Sequence, residues 1–75
     1  MNSIALPWDT WRAVIAVLRE HGLPYELEHG DWLEQRLEEH APDEALVTLS
    51  LTDDVYLRSS NGARLRLGIP LPAEG

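Results

Sequence analysis

The 75-residue chain contains no cysteine, no lysine and no phenylalanine. The lack of cysteine removes disulfides, thiolate metal ligands and cysteine nucleophiles together. The lack of lysine leaves six arginines to balance 13 acidic residues, a net charge of −7 at pH 7 and a pI near 4.7. Nucleic acids and anionic membranes both attract positive charge, so this balance argues against general affinity for either. Long apolar runs are missing too. The longest, Ala13 to Leu18, is six residues, against the roughly 20 that cross a bilayer. No basic N-terminus with a long apolar stretch behind it marks a secretory signal, and the expected location is the cytoplasm. No serine stands in a Gly-x-Ser-x-Gly context, and the five glycines form no phosphate-cradling loop. No catalytic, cofactor-binding or metal-ligating set is expected.

What is present is a globular composition, 44% hydrophobic and 25% charged, with no repeat or linker. It reads as one small domain over residues 1–75. A chain this short buries only about 60% of the surface its unfolded form exposes, so a partner is expected to add stability. The clearest element is a helix from Trp8 to His21. Pro7 and Asp9 suit its start, and Gly22 suits the left-handed residue that ends it. At 100° per residue, Trp8, Trp11, Val14, Ile15 and Leu18 fall within about 120° of arc.

The next segment admits two readings. Asp31-Trp32-Leu33-Glu34 has the form of a capping box, opening a helix lined by Leu33, Leu37 and Ala41 and stopped by Pro42. Upstream, Pro24 can open a helix that is broken near Gly30, the preferred reading. A continuous wheel would place Glu26 and Glu34 in the apolar arc. Alternatively, Tyr25, Leu27 and His29 alternate as a short strand.

Residues 45 to 69 read as three strands. Val47, Leu49 and Leu51 alternate with polar residues, as do Val55 and Leu57, and then Leu65, Leu67 and Ile69. Odd-length turns at Thr52-Asp53-Asp54 and Ser60-Asn61-Gly62 keep the apolar residues on one side. Pro70 and Pro72 end the last strand. The expected architecture is α+β: two N-terminal helical segments packed on one face of a three-stranded antiparallel β-meander.

In that meander Tyr56, Arg58, Arg64 and Arg66 share the outward face. Residues 55 to 73 carry a charge of +3 while residues 1 to 54 carry −9. Such a face can be solvated, can meet an acidic protein surface, or can bind phosphates and stack bases. Trp32, beside Arg36 and His40, either covers the core edge or marks an interface, since tryptophan and arginine are enriched at binding hot spots. The histidines His21, His29 and His40 are dispersed. Glu26-x-x-His29 has a di-iron spacing, but such sites need a second copy. The Asp53-Asp54 pair is what turns favour anyway.

The leading expectation is therefore a non-enzymatic protein-interaction module, such as a small bacterial adaptor, inhibitor or regulator. The alternatives are a nucleic-acid binder using the Arg/Tyr sheet face, and a small enzyme or metal protein. The uncharged strand Ala45 to Leu51 lies at an edge of the meander without the protections that edges carry. Asn2 to Leu6, Pro24 to His29 on the strand reading of that segment, or a second copy of the chain is expected to cover it, and the copy would make a homo-oligomer, a homodimer.

Overall fold

The computed structural model describes residues 2–40 and 44–69. The order of elements is β1 (Asn2–Leu6), α1 (Trp8–His21), α2 (Pro24–Glu38), β2 (Val47–Leu51) and α3 (Asp54–Arg66). The class is α+β, but the three-stranded meander does not exist. The described residues hold three helices and one antiparallel sheet of two strands, β1 and β2.

α1 occupies the span its periodicity predicts. Gly22 ends it with φ 77° and ψ 10°, its amide donating to the Leu18 carbonyl at 3.1 Å. α2 is one uninterrupted helix through Gly30, so neither a break there nor a strand over Tyr25 to His29 forms. Asp31 lies mid-helix rather than at a cap. The two acids that disqualified the continuous wheel face α1 and meet its basic last turn. Glu26 bonds His21, and Asp31 and Glu34 both bond Arg19. A wheel scores carboxylates as solvent-facing, yet at this helix crossing Glu26 is buried and Glu34 half-exposed because a base opposes each of them. Pro42, with Ala41, and Pro70 and Pro72 lie outside the described residues.

β2 pairs with β1 in the register Ile4↔Leu49 and Leu6↔Val47. All four side chains point into the core, while Ser3, Ala5, Thr48 and Ser50 face out. Antiparallel alternation produces this division. The uncharged strand is thus covered by Asn2–Leu6. Beside it, the Trp11 indole N–H donates to the Val47 carbonyl at 2.8 Å, so a side chain from α1 satisfies one β2 carbonyl.

The largest correction is α3, a helix where two strands were expected. Its residues are poor helix formers, with Ser59, Ser60, Asn61 and Gly62 in the middle. Its ends compensate. The Asp53 carboxylate accepts from the Val55 and Tyr56 amides at 2.8 and 3.3 Å, a cap of about 1 kcal/mol. At the other end Gly68 has φ 75°, and the Ile69 amide reaches back to the Arg64 carbonyl at 2.9 Å, as in a Schellman closure. Arg64 and Arg66 in the last turn oppose the negative helix end. Helical spacing buries Ser59, Ser60, Ala63 and Arg64. Of the apolar residues behind the strand reading, Leu57 and Ile69 pack against the core, while Leu65 is 60% exposed and Val55 and Leu67 are also exposed. α3 lies on α1 and α2 and touches β2. The core is otherwise Trp11, Val14, Ile15 and Leu18 of α1, Leu33 and Leu37 of α2, and the inner face of the sheet.

Candidate functional site

With no sheet under them, the four residues expected on one face separate. Tyr56 turns inward and stacks on His29, with ring centroids 4.4 Å apart and planes 18° apart. Trp32 completes this aromatic group at 6.0 Å from Tyr56 and 6.1 Å from His29, with the Arg36 guanidinium 5.8 Å over its ring. Trp32 is half-buried. Arg64 is only 3% exposed. Among the described residues its one side-chain bond is a long 3.5 Å contact to Asn61, and burial pushes its pKa down. Arg58 and Arg66 remain exposed and come together.

They do so because eight residues of helix turn through about 80° net of whole turns, leaving both on one side of α3. That side faces the junction of α1 and α2, where Gly22 and Pro24 reverse the chain. The result is a cleft of about 390 Å³ lined by Arg58, Arg66, His21, Tyr25 and Glu26, with Val55, Ser59 and Gly62 on its α3 wall. This is near the lower end of ligand-pocket sizes, roughly 300–1,000 Å³. Gly62 has nothing within 4 Å of where a Cβ would stand, so the cleft is open there.

The hydrogen bonds in the cleft assign its protons. Arg66 lies 3.2 Å from His21 Nε2. A guanidinium only donates, so Nε2 accepts and the ring hydrogen sits on Nδ1. Nδ1–H in turn donates to Glu26, whose side chain is buried. A buried carboxylate thus fixes the imidazole tautomer, and the imidazole holds Arg66. Arg58 has no ion pair or hydrogen bond among the described residues, and Arg66 meets no carboxylate. Ser59 spends its hydrogen on the Val55 carbonyl at 2.9 Å.

A second constellation resembles catalytic machinery and lacks access. His29 Nε2 is 2.6 Å from Ser60 Oγ, within the range of a nucleophile–base pair. Both residues are 0% exposed, and His29 Nδ1 has no partner to orient it. Desolvation lowers the His29 pKa from 6.5 to about 4, against the opposing pull of the Asp53 charge. The imidazole is neutral at pH 7 and tied to α3 as a buried polar contact.

A groove of about 350 Å³ between α1 and α2 is lined by Trp8, Arg12, Arg19, Glu34 and Leu37. Its cations are engaged: Arg19 by Asp31 and Glu34, Arg12 by the Trp8 ring at 4.8 Å. No group of three or more His, Cys, Asp or Glu residues that could hold a metal ion occurs among the described residues, and no helix there is long and apolar enough to cross a membrane.

Arg58 and Arg66 stand out in the sequence as candidates, whereas His21 and Glu26, their neighbours in the cleft, were missed there. A signal was present. A histidine ending one helix and a glutamate in the first turn of the next are adjacent whenever two to three residues join the helices as a hairpin. Compared with protein-family models, with curated proteins and with solved structures, the chain shows no significant match.

Proposed function

We propose that the protein is a non-enzymatic interaction module that docks an acidic segment of a partner protein into the cleft between the α1–α2 junction and α3. One observation carries this reading: two arginines line a cleft without a carboxylate partner among the described residues, in a chain with more than twice as many acids as arginines. Of the other four arginines, Arg19 and Arg36 are paired with acids, Arg12 lies over the Trp8 ring and Arg64 is buried. Unpaired guanidiniums amid excess carboxylates favour an acidic ligand, because bidentate Arg–carboxylate bonds are among the stronger polar contacts. The cleft suits a single side chain better than a nucleic-acid strand, whose binding needs a longer positive track. The His29–Ser60 pair is sealed from solvent and presents no nucleophile to a ligand.

Fluorescence anisotropy with a labelled glutamate-rich peptide is the test. Saturable binding, weakened by salt and lost in the Arg58→Gln/Arg66→Gln double variant, is expected. No binding at millimolar peptide overturns the reading. Sub-micromolar binding to single-stranded RNA that depends on Arg58 would replace it with the nucleic-acid alternative.

Self-association is a second reading with its own support. The outer edge of β1 runs Ser3-Ile4-Ala5-Leu6 without charge, proline or glycine, and such edges recruit further strands. A sheet of two strands is also marginal alone. Light scattering at tens of micromolar that returns an 8.5 kDa species rules the dimer out.

A further inference from the structure

The acidic group that fits this cleft can be named more closely, an inference that rests on the docking function just proposed. A carboxylate carries one charge and is satisfied by one bidentate guanidinium. Here two guanidiniums line the cleft from positions eight residues apart on α3, roughly 12 Å along its axis, and one carboxylate offers too few oxygens to satisfy both. A phosphate monoester offers three terminal oxygens and a charge of about −1.5 to −2, and it matches two arginines.

The rest of the cleft supports the larger anion. Arg66 is held by His21, and His21 by buried Glu26, so the guanidinium is placed before any ligand arrives. Preorganised donors cost less ordering on binding. The Glu26 carboxylate is directed at the far nitrogen of His21, which leaves the two arginines as the charged groups facing a ligand from α3. Tyr25, on α2, makes no hydrogen bond or ring contact among the described residues, and its side chain lines the same space. Gly62 leaves room where any side chain would project. The volume, about 390 Å³, accepts one phosphorylated side chain. A free diphosphate or lipid headgroup would lack the flanking peptide that Tyr25, exposed in the cleft wall, is placed to meet.

We propose that the cleft is a receptor site for a phosphorylated side chain of a partner protein, gripped by Arg58 and Arg66, with His21 and Glu26 as positioning residues for Arg66. The protein would then read the phosphorylation state of its partner.

Three labelled peptides of one sequence, carrying phosphoserine, glutamate or serine at one position, test this by anisotropy. The phosphoserine peptide is expected to bind about tenfold tighter than the glutamate peptide, a gain of the size that one or two extra charge-assisted hydrogen bonds supply. Arg58→Gln and Arg66→Gln should each remove that gain. Gly62→Leu fills the cleft while improving the helix, so it should block binding without unfolding the protein. Glu26→Ala should lose the Nδ1–H signature of His21 in ¹⁵N NMR spectra and weaken phosphopeptide binding. Glu26→Gln, which keeps an acceptor oxygen, should restore both.

Equal binding of the phosphoserine and glutamate peptides overturns the phosphate assignment and leaves the docking function standing. Absence of binding by either overturns both. Phosphopeptide binding that survives Arg58→Gln and Gly62→Leu places the anion elsewhere and overturns the site. Inorganic phosphate binding as tightly as the phosphopeptide shows a small-ion site and overturns the partner.

Discussion

Two histidines join α3 to the helices before it, and their surroundings give them opposite behaviour. His29 is sealed: its one bond goes to Ser60, aromatic rings flank it, and a neutral ring is all that the site tolerates. His21 is open to solvent and sits between a carboxylate and a guanidinium. The first contact fixes where α3 lies. The second decides what α3 presents. The same residue type, bonded to the same helix, acts as structure where water is excluded and as part of a ligand cleft where water enters.

The sharpest way to break the comparison is acid. The unfolded chain protonates His29 near 6.5 and the folded chain near 4, so the unfolded state binds more protons across that window. Stability is therefore full above pH 6.5 and falls as the pH drops towards 4. The loss is roughly 3 kcal/mol, since each tenfold difference in proton affinity is worth about 1.4 kcal/mol. Urea melts at pH 7.5 and pH 4.5 should show it, and His29→Phe should flatten the slope that this group contributes. An unchanged slope in the variant assigns the acid sensitivity to other groups.

Next in size is Ser60→Ala. It deprives a buried imidazole of its only bond, and an unsatisfied buried polar group costs about 1–3 kcal/mol. At the open end, Arg66→Gln should change stability by less than about 0.5 kcal/mol, as exposed substitutions do. Denaturant midpoints for the two variants measure the contrast directly. Equal losses would mean that His21 and Arg66 also hold the fold. Between these extremes lies Asp53→Ala, which removes the cap of α3 for about 1 kcal/mol. Its loss should appear as faster amide exchange in the first turn of α3. One substitution is expected to be a gain. Gly62→Ala meets no neighbour within 4 Å and should stabilise the helix by about 0.5–1 kcal/mol, read as a rise in melting temperature.

The two halves of the molecule differ as much in what their residues disclose. α1 is legible because its burial is apolar and periodic, so Trp11, Val14, Ile15 and Leu18 mark its inner face in the sequence as in the structure. α3 is not, because it buries two serines, an alanine and an arginine and exposes Val55, Leu65 and Leu67. Alternating hydrophobicity was the signal followed there, and it was accidental. The overlooked information lay at the ends, in Asp53 as a cap and Gly68 as a stop, which mark a helix whatever lies between them. Gly30 misled in another way. It stands where α2 crosses α1, and a methyl group at its Cα would make only ordinary contacts with side-chain atoms of Arg19 and Ile15 at 3.5–3.9 Å, so the helix runs through it without a break. For the site, Arg58 and Arg66 were recognisable as a surplus of charge. Their separation from Arg64 and Tyr56 follows from helical rather than strand geometry, and that difference could not be seen before α3 was known.

The pairing of β1 with β2 has a kinetic side. Asn2 and Leu51 face each other across the sheet, and both α1 and α2 lie in the intervening chain. Contacts this far apart in sequence must first overcome the entropy of closing a long loop. The helical hairpin, built from near neighbours, can form in advance and provide the surface on which the strands meet. Until they do, Val47 to Leu51 is an uncharged β-prone segment without its partner. The refolding chain is therefore most vulnerable to aggregation before strand docking, and refolding yield should fall with protein concentration even when the native protein is stable.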